Sequence, residues 1–520
     1  MARFLLRNRT VEVNRSRLLC TTALALAAAT IAACGGSNLV GSGPGHTPSP
    51  SPSPRQRSGT FLPAGAVLYG RIATDTGRPN DCYPVEEAAR FAILDLSMHL
   101  ARRTSRWCGT PDRPLLAIRA LNPDSWILLY RMVPAELNWV GTVRSPVSGG
   151  PYYEELRQRH GIGSPDRWFA VGEQSGDYLV SLWYPQYMAM ELGNPNWRRY
   201  WTEQGWEDMW GSNPMVDARG ASGVFVDGAV IGTPHSGARF CPLQSWNADN
   251  RQCGSAPDYP ATYRSGGEWN RELWRRDMLD FVREAVSWYT ARGLKMMFNV
   301  WKLNPDYAAF MNQVGGHVME EAGFVDHGRF PPATSYWLAR LNNLRSATNF
   351  AILSTNNLSG GGEPHRLCRG RGPECLDETA WGGMRGWDVL WFAMTSFLLG
   401  YDPQRRNGFF HFTVWGYRDT YWLDEYDPRY LHLGQPLGDA QQLPGGAWIR
   451  EFEDGWVAVN PTDSPVEVSV PRGQARVLNH DNFKNPAAVP PVDRFTLQPY
   501  RGVVLLRAGV EGNRRSMSAR

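Results

Sequence analysis

Two acidic positions close short apolar runs. Asp227 ends Gly223-Val224-Phe225-Val226-Asp227, and Glu320 and Glu321 end Gly316-His317-Val318-Met319-Glu320-Glu321. Such a carboxyl pair can hydrolyse a glycosidic bond. One group protonates the leaving oxygen while the other, ionised, attacks the anomeric carbon or activates water. Asp before Gly is also a common turn, so Asp227 has a plain reading beside the catalytic one. Glu320 and Glu321 are adjacent, and on a strand only one of them can face inward. Glu321 shares the face of Met319 and is the preferred acid, with Glu320 in reserve.

Other polar residues at the ends of apolar runs are expected to line the same cleft: Tyr69, Arg71, Asp95, Tyr130, Arg131, Asn299, Trp301, Asn356, His411 and Trp415. Together they describe a polar hollow floored with rings, which suits a hydrated sugar polymer. Asp95 is the candidate third carboxylate, and His317 and His411 read equally well as structural. No Gly-x-Ser-x-Gly elbow follows a strand, and no Cys or His spacing suits a metal. Neither a cofactor nor a metal is expected.

The elements that must position these groups repeat one pattern from about residue 64: an apolar run, a loop, then an amphipathic helix. Eight runs alternate with helices, of which 268–292 is the clearest, and Gly293 supplies its stop. That alternation predicts an α/β chain folded as a (β/α)8 TIM barrel over 61–445. A dinucleotide-binding sheet would need a Gly-rich turn after the first strand, which is missing. Residues 132–222 exceed a normal crossover and are read as an insertion that builds the substrate site. Short alternating runs over 446–508 predict a small antiparallel β domain, and 509–520 a frayed tail.

Residues 1–33 have the layout of an exported leader: five arginines and one glutamate, then the apolar run Leu18–Cys34. Ile31-Ala32-Ala33-Cys34 resembles a lipoprotein cleavage box, with Cys34 as the lipidated residue. The leader accounts for the whole formal charge of +4, so the mature chain is near neutral and nucleic acid is excluded as a partner. Residues 34–60, rich in Gly, Ser and Pro, read as a tether. Six further cysteines, Cys82, Cys108, Cys241, Cys253, Cys368 and Cys375, are an even set for an oxidising compartment, and sequence neighbours form three natural disulfide pairs. The expectation is a monomer held by lipid in the bacterial envelope, with the outer membrane or cell surface favoured.

The segments Gly223–Gly228, Gly316–Phe324, Arg119–Asp124, Asn194–Trp201 and Arg450–Pro461 resemble bacterial glycoside hydrolases of (β/α)8 type, and among them hypothetical glycosyl hydrolase family 15. The resemblance implies a barrel of the α-galactosidase and α-amylase kind, with Asp227 as nucleophile and a later Glu as acid/base. It implies no firm substrate. The leading expectation is a glycosidase acting on a polysaccharide or oligosaccharide at the cell envelope. The alternative is a catalytically silent barrel that binds glycan.

Overall fold

The computed structural model describes residues 62–509, except 69–70, 73–83, 97–99, 101–106, 109–112, 133–134, 138–149, 183–186, 212–216, 230–239, 248–251, 266, 326–329, 359–372, 382 and 414–418. Tyr69, Trp415, Cys82, Cys368, and Cys34 with its leader and tether lie outside the described residues.

Eight strands form one parallel sheet: β1 (Gly65–Leu68), β2 (Ile93–Leu96), β3 (Trp126–Met132), β4 (Gly223–Asp227), β5 (Lys295–Asn299), β6 (His317–Glu320), β7 (Ile352–Asn357) and β8 (Gly408–Thr413). They pair in chain order, and a parallel bridge between Ala64 and Phe410 joins β8 back to the entry of β1. The amide of Phe410 donates to Pro63 O at 2.9 Å across that closure. The barrel is therefore the (β/α)8 architecture that the alternation predicted.

Both faces of such a sheet are buried, so its strands read as continuous apolar runs. Phe225, Met297, Met319, Leu353 and Phe409 fill the interior. Their neighbours Val224, Val226, Phe298, Val318 and Ile352 pack outward against the helices. This alternation sets which strand-end polar groups face the central hollow.

The helices that matter here are α1 (Pro114–Leu121), α2 (Pro195–Trp210), α3 (Arg271–Thr290), α4 (Pro305–Val314), α5 (Thr334–Ser346) and α6 (Gly386–Gly400). Asn residues cap three of them: Asn194 accepts from the amides of Asn196 and Trp197, Asn270 from Leu273, and Asn304 from Tyr307. Each cap contributes about 1 kcal/mol. α3 begins at Arg271 and not at 268, because Glu268 and Trp269 pair with Ser265 and Arg264 in a short hairpin.

The quoted segments hold structural joints together. Trp197 and Trp201 are fully buried on α2, and Arg198 pairs with Glu284 of α3 at 2.8 Å. Arg119 Nη1 donates to Ser125 O at 2.8 Å, and Asn122 Nδ2 to Ala89 O at 2.8 Å, which ties α1 to the entry of β3. Arg450 donates to Leu398 O and Tyr401 O at the end of α6.

Beyond the barrel lies an antiparallel five-stranded sheet, in the order Gln441–Gln442, Trp448–Phe452, Gly455–Asn460, Arg501–Arg507, Ala475–Leu478. Val466–Ser469 and Arg494–Leu497 form a separate pair. α6 is buried along almost its whole length, between the barrel and this sheet, which is why it is apolar on every side.

The insertion after β3 forms a four-stranded antiparallel sheet: Ala135–Leu137, Tyr187–Ala189, Leu179–Ser181 and Phe240–Pro242. Its last strand comes from the loop after β4, so the unit is built from two excursions of the chain. Cys241 and Cys253 are joined by a disulfide, as sequence neighbours. Cys108 and Cys375 each also take part in a disulfide, though not with one another.

Candidate active site

Asp227 and Glu321 leave β4 and β6 at the same end of the barrel, both half-buried. Asp227 follows Phe225 by two residues, and Glu321 follows Met319 by two, so the strand period turns both inward. One nitrogen joins them. Asn299 Nδ2, at the end of β5, donates to Asp227 Oδ1 at 2.9 Å and to Glu321 Oε2 at 3.0 Å. Those two oxygens are therefore no farther apart than the sum of the contacts, about 5.9 Å.

The amide of Asn299 is itself oriented. Its Oδ1 accepts from the backbone amide of Trp301 at 3.1 Å, which leaves both Nδ2 hydrogens for the carboxylates. Trp301 has φ 57°, a left-handed conformation that costs a bulky residue about 1–3 kcal/mol. The turn that fixes Asn299 is thus held under strain beside the carboxyl pair. On the other side, Tyr130 donates its hydroxyl to Asp227 Oδ2 at 2.7 Å. The amide of Gly228 donates to Asp227 Oδ1 at 2.8 Å. Asp227 thus receives a phenol, a side-chain amide and a backbone amide, three donors that favour its ionised form.

Glu321 lies in a pinned turn. Ala322 N donates to Trp301 O at 3.0 Å and Gly323 N to Thr355 O at 2.8 Å. A Cβ at Gly323 would lie 2.6 Å from Ser354 Oγ and 2.8 Å from Thr355 O, so only glycine lets the chain leave β6 this close to β7. Tyr336 of α5 closes the turn by donating to Ala322 O at 2.6 Å.

Glu320 goes the other way. It is buried behind the barrel wall, where its Oε1 accepts from Leu303 N at 2.9 Å and pairs with Arg340 of α5. Burial pushes its carboxyl up to about 7, against the pull of Arg340. The reserve candidate is therefore an element of the wall and not of the central cluster.

Among the remaining expected residues, Asp95 is fully buried on the inward face, in register with Val67 and Leu128. His411 is inward and buried, and burial pushes its imidazole down to about 3, which keeps it neutral. Arg71 lies in a two-residue strand paired with Asp419–Thr420. Asn356 is a correction: it faces out of the barrel, accepts from Val325 N at 3.1 Å and donates to Ser354 O and His411 O. Arg131 also turns outward, with its guanidinium 4.0 Å from the Trp201 ring.

The alternation from Leu353 places Thr355 and Asn357 inward instead of Asn356. That phase was available in the sequence, since Leu353 and Asn357 are separated by an even step. His317 lies at the opposite end of the barrel, 4.6 Å from Trp126 between ring centroids.

Residues 119–456 match the model of hypothetical glycosyl hydrolase family 15, well over half of the chain. No curated protein matches the sequence. Solved structures with a similar outline include the alpha-glucosyl transfer enzyme XgtA, at 11% identity, TM-score 0.48, covering 86% of this chain and 100% of that one. The isomaltulose synthase from Klebsiella sp. LX3 superposes at 10% identity, TM-score 0.43, covering 86% and 99%. A xylosidase from Aspergillus niger does so at 11% identity, TM-score 0.40, covering 87% and 65%. On the family match, the chain belongs to hypothetical glycosyl hydrolase family 15.

Proposed function

We propose that this protein is a glycosidase that cleaves a polysaccharide at the cell envelope, with Asp227 as nucleophile and Glu321 as acid/base. The observation that carries the reading is the single Asn299 nitrogen bonded to both carboxyl groups, at 2.9 and 3.0 Å. A silent glycan-binding barrel would need no such shared donor. The upper bound of about 5.9 Å on that oxygen pair is short of the roughly 6.5–9.5 Å of inverting pairs, which favours double displacement. Asp227 attacks the anomeric carbon as Glu321 gives its proton to the departing oxygen. Glu321 then takes a proton from water, which breaks the glycosyl ester and restores Asp227 with net retention of configuration.

Reducing-end release from a polysaccharide panel, run with the wild type and Asp227→Asn, tests the assignment. The variant is expected to lose at least about a thousandfold in rate while its melting curve is kept. Wild-type rates in that variant would sink it. The anomeric signals of fresh product, followed by NMR, separate retention from inversion. The lipid on Cys34 is part of the same proposal: palmitate labelling should disappear in Cys34→Ser.

A further inference from the structure

The opposite end of the barrel holds a second concave site. A cavity of about 460 Å³ opens there among the entries of β1, β2, β3 and β8, with Trp126 and Trp422 in its wall and Gln404, Arg406 and Asp124 on its lining. The volume is in the range of small-ligand pockets and far exceeds an inorganic ion. Its charge is unusual. Arg406 makes no ion pair among the described residues, and neither do Arg119 and Lys295. Lys295 points inward at the start of β5, with its ammonium 4.4 Å from the Trp126 ring centre. Burial lowers its pKa, and the charges of Arg119 and Arg406 lower it further. Lys295 is thus repelled by two further cations, Arg119 and Arg406. His317 adds no charge, since burial and Lys295 hold it down to about 3. Arg90, the other cation on the lining, is already paired with Glu87 at 3.1 Å. Among the described residues, Asp124 is the one carboxylate on the lining.

Arg406 is also strained, at φ 50°. Its turn is held by Asn407, which accepts from Asp402 N at 2.7 Å, and by Asp402, which accepts from Gln404 N at 2.9 Å. Backbone strain maintained by a side-chain network is a recurring mark of ligand-contacting turns. We infer that this floor is a second, non-catalytic glycan site, which takes a carboxylate-bearing sugar unit of the uronate type. The carboxylate would meet Arg406, and the indole in the wall would meet the apolar face of the ring. The inference rests on the reading of the protein as glycan-active.

Titration calorimetry with D-glucuronate, D-glucose and inorganic phosphate tests it on the full folded protein. Glucuronate is expected to bind wild type and Asp227→Asn alike, and to bind Arg406→Gln about tenfold more weakly. Lys295→Met should weaken it in the same direction, while hydrolysis by Arg406→Gln is unchanged. Unaltered glucuronate binding in Arg406→Gln and Lys295→Met overturns the inference. So does loss of binding in Asp227→Asn, or phosphate binding as tightly as glucuronate. If hydrolysis fails in the wild type while glucuronate still binds through Arg406, the catalytic reading falls and this site stands.

Discussion

Tyr130 and Asp227, on neighbouring strands, are joined by a 2.7 Å hydrogen bond from the phenol to Oδ2. The donor stabilises the ionised carboxylate, so its removal should raise the Asp227 pKa. Tyr130→Phe keeps the ring, which stacks 6.0 Å from Phe225, and deletes only the donor. The acidic limb of the kcat/KM profile should move to higher pH, and kcat should fall about tenfold to a hundredfold. A profile that does not move would show that Asp227 is not the group titrating in that limb.

Asn299 is expected to act mainly on kcat. Asn299→Ala removes the donor shared by Asp227 and Glu321 and leaves the Trp301 amide without its acceptor. The rate should drop about a hundredfold with KM changed by less than about threefold, because the lost contacts align the reacting groups more than they bind substrate. Asn299→Asp should be worse: a third carboxylate would repel both partners and raise their pKa values. Steady-state kinetics on both variants check the order.

The split between what sequence and structure reveal follows the reach of each interaction. Strand alternation is local, and it put Asp227 and Glu321 inside and Glu320 outside once Met319 was taken as core. The same rule applied to β7 would have chosen Thr355 and Asn357 over Asn356, whose amide serves the wall. The Asn299 bridge was not legible, because it depends on the relative stagger of β4, β5 and β6. The insertion sheet was read only in part. Its Leu179–Ser181 strand pairs with Phe240–Pro242, a partner delivered after the whole of α2 and β4, and no local pattern announces it. The uncompensated cations at the barrel floor come from α1, β5 and the α6–β8 turn, and were equally invisible.

Glu320 makes stability depend on pH. Its carboxyl is raised by burial from 4.5 to about 7 in the folded protein. A folded pKa above the unfolded one means that the unfolded chain binds fewer protons between those values, so stability falls as pH rises. The contribution is fully present below about 4.5 and is lost by about pH 7, a change of about 3 kcal/mol. Glu320→Gln keeps the acceptor for Leu303 N and Arg340 and removes the titration. Wild type and variant should be equally stable at pH 4.5, with the variant ahead above pH 7. Denaturant melts across that range check it, and parallel curves would reject it.

Gly502 controls how the C-terminal sheet meets the barrel. A Cβ there would lie 1.8 Å from Thr395 Oγ1 and 3.0 Å from Trp391 O, both on α6. Thr395 cannot turn away cheaply, since its hydroxyl is buried and donates to Trp391 O at 2.6 Å. Gly502→Ala must therefore push strand Arg501–Arg507 off the helix, which strains the contact in the manner of an overpacked core and costs about 1–3 kcal/mol. Arg450, which donates to the carbonyls of Leu398 and Tyr401, would be drawn from the end of α6 at the same time. The expected result is a lower melting temperature, with kcat close to wild type, because β4, β5 and β6 carry the carboxyl cluster while Gly502 packs on α6. Restoring room with Thr395→Ala in the same chain should recover part of the loss. A double variant no more stable than Gly502→Ala would show that the sheet is seated by other contacts.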